Sequence, residues 1–499
     1  MREGEGGVMA VKNFIIKESY NDSVVLMNAA NEVRNKFSCK DISAVMATPQ
    51  NLELLESLGI LEDAGRGATP ADLVVAVKTE SESAASQMLD EFKKVLSKKA
   101  AIRKTSSDVS FDEVLKNEDS LVLISIPGRY VRREAERAIN AGKNVMVFSD
   151  NVSIEDEIFL KNKAAKKNLL FMGPDCGTAI INGKGLGFAN VIRKGRIGIV
   201  GASGSGIQEV TTIIHKLGFG VSQAIGVGGR DVKSQVGGIM LKAAMDYFEN
   251  DSETDIVTII SKPPDAEVAD EIIAKAKKSA KKYVINFLTM ELADFDKILF
   301  ASTLEEAALK SCRCVDDRAA IPKTDFRAVK KPGKYLRGLY SGGTLCYEAL
   351  YLLKDCEIYS NTPINKKFKM ENPFKSEKHC LVDMGEDDFT RGYPHPMMDF
   401  TLRKARIEEE AKASEVGVLL LDCALGWGCH SDPAGELAPS VEAAKKINPE
   451  LVVVASITGS AEDPQNYEKQ KKTLAASGVE VFPTNAQAVS ACRKILFEK

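Results

Sequence analysis

Short apolar runs exchange along the chain with longer stretches whose apolar residues recur every three or four positions, the pattern of buried strands alternating with amphipathic helices. It predicts strands at 12–17, 42–47 and 72–77 and helices at 21–36, 49–58 and 81–97, a small N-terminal α/β domain over 10–100. Beyond a charged segment at 98–119, strands at 121–126, 144–148 and 169–172 exchange with helices at 131–141 and 155–166. That alternation implies parallel crossovers. This second unit, 101–194, contains the turn-rich Gly173-Pro-Asp-Cys-Gly-Thr178 after its last predicted strand.

The apolar run 197–200 then breaks into Gly201-Ala-Ser-Gly-Ser-Gly206 and resumes at helical spacing in Val210, Ile213, Ile214 and Leu217. A strand, a tight turn and a helix in this order leave backbone N–H groups at a helix start, aligned with its dipole, where an anion such as phosphate or carboxylate is favoured. The spacing is neither a P-loop nor G-x-G-x-x-G, and any α/β protein needs glycines where strand becomes helix. What raises its significance is repetition. Ser341-Gly-Gly-Thr344 sets Gly343, Thr344 and Glu348 against Gly204, Ser205 and Glu209 at a constant offset, 343 − 204 = 139.

The surroundings repeat too: 226–231 is answered by 383–388, 256–260 by 416–421, and 284–288 by 452–457. Two modules, 195–315 and 335–499, are thus expected, separated by a basic, proline-containing linker at 316–334, the second with an insertion at 361–378. Paired βαβ modules, each opening on such a turn, argue for one shared anion site. Its expected residues are Ser203, Gly204, Ser205 and Gly206 from one turn and Ser341, Gly342, Gly343 and Thr344 from the other.

Composition narrows the partners. A chain of 499 residues is too long for one core, and a formal net charge of −3 makes nucleic acid or an anionic membrane a poor partner. Ten cysteines without a C-x-x-C pair, no signal peptide and no run of 18 apolar residues fit a reduced, cytoplasmic protein. Four histidines, and a Cys312-Arg-Cys314 pair too tight for zinc, predict no metal centre. Residues 1–9 read as a disordered lead, with Met9 as a candidate start.

Histidines in loops beside carboxylates are candidate acid/base or carbonyl-polarising groups. His395 lies between two prolines with Arg391 and Asp399 four residues away on either side, and His430 lies between Trp427 and Asp432. Either histidine reads equally as a surface residue, and His215 reads as structural. Arg230 follows glycines at a strand end, where a guanidinium holds carboxylate or phosphate bidentately or joins a structural ion pair. Asp175, Cys176, Asp231, Arg391 and Asp432 complete the expected crevice, although Cys176 before Gly177 also suits a tight turn.

These motifs carry a resemblance. Met172-Gly-Pro-Asp-Cys-Gly177, Gly201-Ala-Ser-Gly-Ser-Gly206 and Ile225-Gly-Val-Gly-Gly-Arg-Asp231 resemble the α-subunit of succinyl-CoA synthetase and the wider NDP-forming acyl-CoA synthetases. With Ala68-Thr-Pro-Ala-Asp-Leu73, Gly392-Tyr-Pro-His-Pro-Met-Met-Asp399 and Asp422-Cys-Ala-Leu-Gly-Trp-Gly-Cys-His-Ser-Asp-Pro433, the whole chain is similar to FdrA proteins.

The resemblance implies a degenerate Rossmann-like CoA-binding-type domain at 101–194 and two flavodoxin-like ligase modules whose turns clamp the phosphate of a phosphohistidine. In the synthetases that histidine lies in a Gly-His-Ala-Gly loop closing the first module. The matching stretch here, Phe287-Leu-Thr-Met-Glu-Leu-Ala-Asp294, has none, which implies that the phosphohistidine relay is lost. The family's ATP-grasp domain has no counterpart, so no ATP site is expected in this chain, and its CoA fingerprint has none in 10–100, which leaves CoA an open ligand.

Three functions are implied. One is an acyl-CoA, succinyl-CoA-ligase-like enzyme. Another is a subunit of an oxamate carbamoyltransferase converting oxalurate to oxamate and carbamoyl phosphate in ureide and allantoin catabolism. The third is a non-catalytic metabolite-binding scaffold. In the enzyme readings the ligands are a small acyl or carbamoyl compound with phosphate as substrate or ligand, and partner subunits or a homo-oligomer are expected.

Overall fold

The computed structural model describes residues 10–498 apart from 20, 22, 38–40, 58, 104–109, 119–120, 323, 325–332 and 391–393. The chain divides into two compact units, the first running to residue 114 and the second taking up the chain from 115, apart from 391–394. The first is an antiparallel sheet with Leu73–Thr79 between Ala10–Ile16 and Asp41–Met46. Helices Ser23–Phe37 and Glu82–Arg103 bury one face through Leu26, Val33, Met88 and Phe92, while Leu55 of Pro49–Ser57 lies in a core on the other. A strand covered on both sides carries no polar face, hence the unbroken apolar run Leu73-Val-Val-Ala-Val77.

Among the described residues the second unit holds three sheets. A small parallel one runs Leu121–Ile124, Asn144–Val147, Phe171–Met172. The first module's sheet places Lys194–Gly201 between Val221–Gly226 and Ile256–Ser261, continuing to Lys282–Phe287 and Ile298–Phe300. The second module's sheet repeats the plan with Tyr335–Tyr340 between Cys380–Asp383 and Val416–Ala424, continuing to Val452–Thr458 and Val479–Phe482, with Tyr359–Ser360 added at the edge. Both parallel sets follow the order 2-1-3-4-5, the doubly wound flavodoxin-like arrangement, whose ligand crevice opens at the carboxyl ends of the strands where the order reverses.

Two features depart from the expectation. The hairpin Thr178–Ile181 and Lys184–Gly187, within the segment assigned to the second unit, hydrogen-bonds into the first module's sheet, Ile180 pairing antiparallel with Ala224. Its signal is Asn182-Gly183, both with positive φ, the residues that a tight two-residue hairpin requires. The two modules also share one core: Ile207, Val210 and Ile214 of helix Gly204–Lys216 cluster with Leu345, Cys346 and Ala349 of helix Gly343–Leu352. Among the described residues no helix is long and apolar enough to cross a membrane.

Candidate functional site

The repeated glycine turns meet. Ser203 caps its own helix by accepting the Gly206 N–H at 3.0 Å, and its Oγ lies 2.6 Å from Thr344 Oγ1. Ser205 Oγ accepts the Thr344 N–H at 3.2 Å. The two helix starts therefore confront each other, and their dipoles add positive potential at one place. Gly204, Ser205 and Gly343 keep helix-start N–H groups with no protein partner among the described residues.

The second turn is not equally open, which corrects the expectation for Ser341 and Gly342. Their N–H groups donate to Asp422 Oδ1 and Oδ2 at 2.7 and 2.8 Å, and Ser341 Oγ donates to Oδ2 at 2.8 Å. Asp422 is fully buried and paired with Arg403 at 2.6 Å. A protein carboxylate thus occupies the half-site that the glycine pattern suggested for a ligand. Val200 pairs with Ile259 and Leu339 with Leu421, so the repeat sets Ile260 against Asp422. A charge at the end of the apolar strand Val416–Ala424 was the available signal, since buried carboxylates need partners.

Around the helix starts lies a crevice. Gly204 abuts the hairpin: a Cβ there would stand 3.1 Å from Thr178 Oγ1, which donates to Phe188 O at 2.8 Å. Phe188 stacks between Phe148 and His395, with centroids 5.8 and 5.2 Å away. His395 Nδ1 accepts the Met397 N–H at 3.3 Å, which leaves the proton on Nε2, beside Gly385. Burial pushes the His395 imidazole down to about 4, so at neutral pH it is an uncharged donor rather than a cation.

Asp383 joins the site, although the sequence pattern marked it only as part of the repeat. Its Oδ1 accepts the Gly385 N–H at 3.0 Å, and its Oδ2 would stand 2.5 Å from a Cβ on Gly343. Burial raises its carboxyl to about 7, with Glu386 and Asp422 adding to the rise and Lys262 opposing it. Lys262, just after strand Ile256–Ser261, sets its ammonium 5.5 Å from the Tyr347 ring centroid. Solvent reaches Asp175, yet burial, helped by Asp150, raises it to about 6 against the pull of Arg230.

Other expected residues fall elsewhere. Asp231 is fully buried, pairs with Lys161 at 2.8 Å and accepts the Met240 and Leu241 N–H groups at 3.1 and 2.8 Å, so it ties a helix start into the core and does not line the crevice. Cys176 is buried, donates to Gly226 O and is pushed up to about 12 by burial, a turn filler and no nucleophile. Arg230 is held by Glu157 at 2.8 Å and Val152 O at 2.9 Å, an ion pair at the crevice edge. Asp432 immediately precedes helix Pro433–Ile447 and accepts from Gln470 at 2.8 Å.

His430 is half-buried, its Nδ1 accepting the Asp432 N–H at 3.1 Å and its own N–H donating to Met397 O at 2.8 Å, which joins it to the His395 loop. Trp427 fixes the same loop to the segment after the hairpin 178–187 through Ala189 O at 2.7 Å. His215 is buried against Glu462 at 2.7 Å, a structural placement. Arg391 lies outside the described residues.

Facing glycine turns on paired 2-1-3-4-5 sheets define an NDP-forming acyl-CoA synthetase-like protein, and family models agree: CoA-ligase matches 339–495 and CoA binding domain matches 192–289. The second of these falls on the first module rather than on 101–194. Within that class the chain belongs to the family of YahF of Escherichia coli (strain K12), with 39% identity over 492 residues covering 94% of this chain and 96% of that one. The Succinate--CoA ligase [ADP-forming] subunit alpha 2 of Archaeoglobus fulgidus is 27% identical over 182 residues, 35% of this chain and 62% of that subunit. Among solved structures, the dinucleotide forming Acetyl-coenzyme A synthetase 1 of Ca. Korarchaeum cryptofilum, in complex with phosphate and ADP, aligns over 78% of this chain and 86% of that one at 16% identity and a TM-score of 0.34.

A third model, AllF, heavy metal-associated domain, matches residues 9–111. The residues there do not fit such a metal: the segment has one cysteine, Cys39, outside the described residues, and no histidine. Among the described residues no group of three or more His, Cys, Asp or Glu is arranged to hold a metal ion. At the first helix start of the 121–172 layer, a Cβ on Gly128 would stand 2.3 Å from Asn151 O, so only glycine lets the two backbone segments approach there.

Proposed function

We propose that the chain is an FdrA-type, acyl-CoA-synthetase-like enzyme component that holds a small acyl, carbamoyl or phosphoryl anion between its two ligase modules, with no phosphohistidine and no ATP-grasp segment of its own. One observation carries this reading: the start of helix Gly204–Lys216 confronts that of Gly343–Leu352, locked by the Ser203–Thr344 contact at 2.6 Å with N–H groups left over. Preorganised donors at converging helix starts stabilise the charge of an oxyanion without reorganisation.

A specific observation favours the carbamoyl variant. His395 is an uncharged donor beside this anion site, suited to polarising a carbonyl, and 287–294 carries no histidine to take up phosphate. Converting oxalurate and phosphate to oxamate and carbamoyl phosphate needs an anion clamp and a polarising donor, with no phosphoenzyme. In this reading the chain is one subunit of a carbamoyltransferase and works with partner subunits in the cytoplasm.

A ligand that binds only the native state raises its melting temperature, so thermal unfolding against CoA, succinyl-CoA, phosphate, carbamoyl phosphate, oxamate and oxalurate tests the choice. A rise with phosphate or carbamoyl phosphate but not with CoA supports the transferase. A rise with CoA or succinyl-CoA returns the chain to the ligase reading. No rise with any of them points to the scaffold.

A further inference from the structure

The two modules are built alike but charged differently where they meet. Gly201 pairs with Gly226 in the first and Tyr340 with Asp383 in the second, so the repeat sets Gly226 against Asp383. At Gly226 the space is filled from within, a Cβ standing 2.6 Å from Cys176 Sγ and 2.4 Å from Thr178 O. The fold therefore makes this strand end without a carboxylate, and Asp383 is not needed to build it. Its backbone is held independently, by Asn361 Nδ2 donating to Asp383 O at 2.8 Å and the Asp383 N–H donating to Asn361 Oδ1 at 2.9 Å.

The side chain is 2% exposed and only half satisfied. Oδ1 takes the Gly385 N–H, whereas Oδ2, over the Cα of Gly343, accepts no hydrogen bond among the described residues. A simple helix cap would accept the N–H groups of that first turn, yet the Thr344 N–H goes to Ser205 Oγ. Lys262 sets its ammonium over Tyr347 of the same helix, is the main charge opposing the rise at Asp383, and makes no salt bridge among the described residues. A half-satisfied buried carboxyl at converging helix starts, with an ammonium nearby that has no carboxylate partner among the described residues, marks a place for one more group.

We propose that Asp383 Oδ2 is a direct ligand contact of the site, sharing a proton with an oxygen of the anion held at the Gly204 and Gly343 helix starts, while Lys262 supplies the countercharge. This rests on the anion-holding reading above and adds the residue that makes it proton-dependent. The groups facing Asp383 are Lys262 from the first module, Glu386 on its own loop, Asp422 with Arg403 from the neighbouring strand and helix, Cys346 from the helix Gly343–Leu352, whose thiol burial keeps protonated, and His395 across Gly385. Burial and the two acidic neighbours keep its proton on up to about 7, and His395, at about 4, stays uncharged through that range.

Sulfate is the probe, because its charge is constant where phosphate titrates. For the wild type, sulfate affinity measured by calorimetry is expected to fall about tenfold between roughly pH 6 and pH 8, as the shared proton is lost. Asp383→Asn keeps a donor and is expected to fold and to bind with a flat profile. An Asp175→Asn background removes a second crevice carboxyl that titrates near this range. Lys262→Met keeps the stem but not the charge; binding should weaken at every pH and the profile's midpoint should move up, because the ammonium holds the Asp383 proton less tightly bound.

A flat wild-type profile, or an Asp383→Asn variant that keeps the wild-type slope, overturns the proposal and leaves the anion site standing. If Asp383→Asn does not fold, an unmoved midpoint in Lys262→Met overturns it instead. A wild type that binds neither sulfate nor phosphate overturns both readings together.

Discussion

Glu209 and Glu348 occupy the same place in the two repeated helices, 348 − 209 = 139, and each accepts a backbone N–H at the start of the other module's closing helix: Asn485 at 2.9 Å for Glu209, Leu304 at 2.6 Å for Glu348. The exchange is reciprocal, as across a two-fold axis joining unlike halves of one chain. It sets the rotation of one module on the other and so keeps the glycine turns face to face. Asn485 Nδ2 also donates to Glu348 at 2.8 Å, linking the two carboxyls.

Burial pushes Glu348 up to about 8 and raises Glu209 as well. A carboxyl whose folded pKa lies above its unfolded one binds more protons when folded, so its stabilising contribution is complete below the unfolded pKa and is lost as pH rises through the folded value. Stability should therefore decline from about pH 5 to pH 8, at no more than about 1.4 kcal/mol per pH unit for one proton. Glu348→Gln should flatten that decline, and urea titrations across pH check it; an unchanged slope would remove Glu348 as its source.

Asp422 is paired to Arg403 and to the Ser341 turn, all of it buried. Asp422→Ala leaves the Arg403 guanidinium without its countercharge, with only backbone carbonyls to accept from it, and two N–H groups without their acceptor, at a cost of about 3–5 kcal/mol. Chemical denaturation reads this directly. A loss below about 1 kcal/mol would mean that water enters and replaces the carboxylate.

Ser205→Ala removes the acceptor of the Thr344 N–H and one hydroxyl of the facing turns. Stability should fall by only about 1 kcal/mol, while phosphate binding should weaken about tenfold. Titration calorimetry separates the two effects, and equal phosphate affinity in variant and wild type would take Ser205 out of the site.

Cys176, pushed up to about 12 by burial, should resist iodoacetamide in the native protein at neutral pH and react once the chain is unfolded. Cys314 and Cys356, both partly exposed, should be alkylated first. Peptide mass spectrometry of the labelled protein resolves the order, and early labelling of Cys176 would reopen a thiol role.

What could be read without the structure was whatever a short window of residues encodes. Val210, Ile213, Ile214 and Leu217 announce their helix by spacing, Gly201 to Gly206 announce a turn, and a repeat 139 residues long announces two modules. Family membership followed, because motifs are local too. Tertiary structure decided which turn stays open. Asp422 reaches Ser341 across 81 residues and Glu209 reaches Asn485 across 276, and nothing in either neighbourhood encodes the other. Asp231 and Asp383 look alike as carboxylates at strand ends, yet Lys161 and two helix N–H groups saturate the first, whereas the second keeps an oxygen free. The physical reason is that a buried polar group takes its role from the partners that satisfy it, and those partners are chosen by packing between modules rather than by the order of residues along the chain.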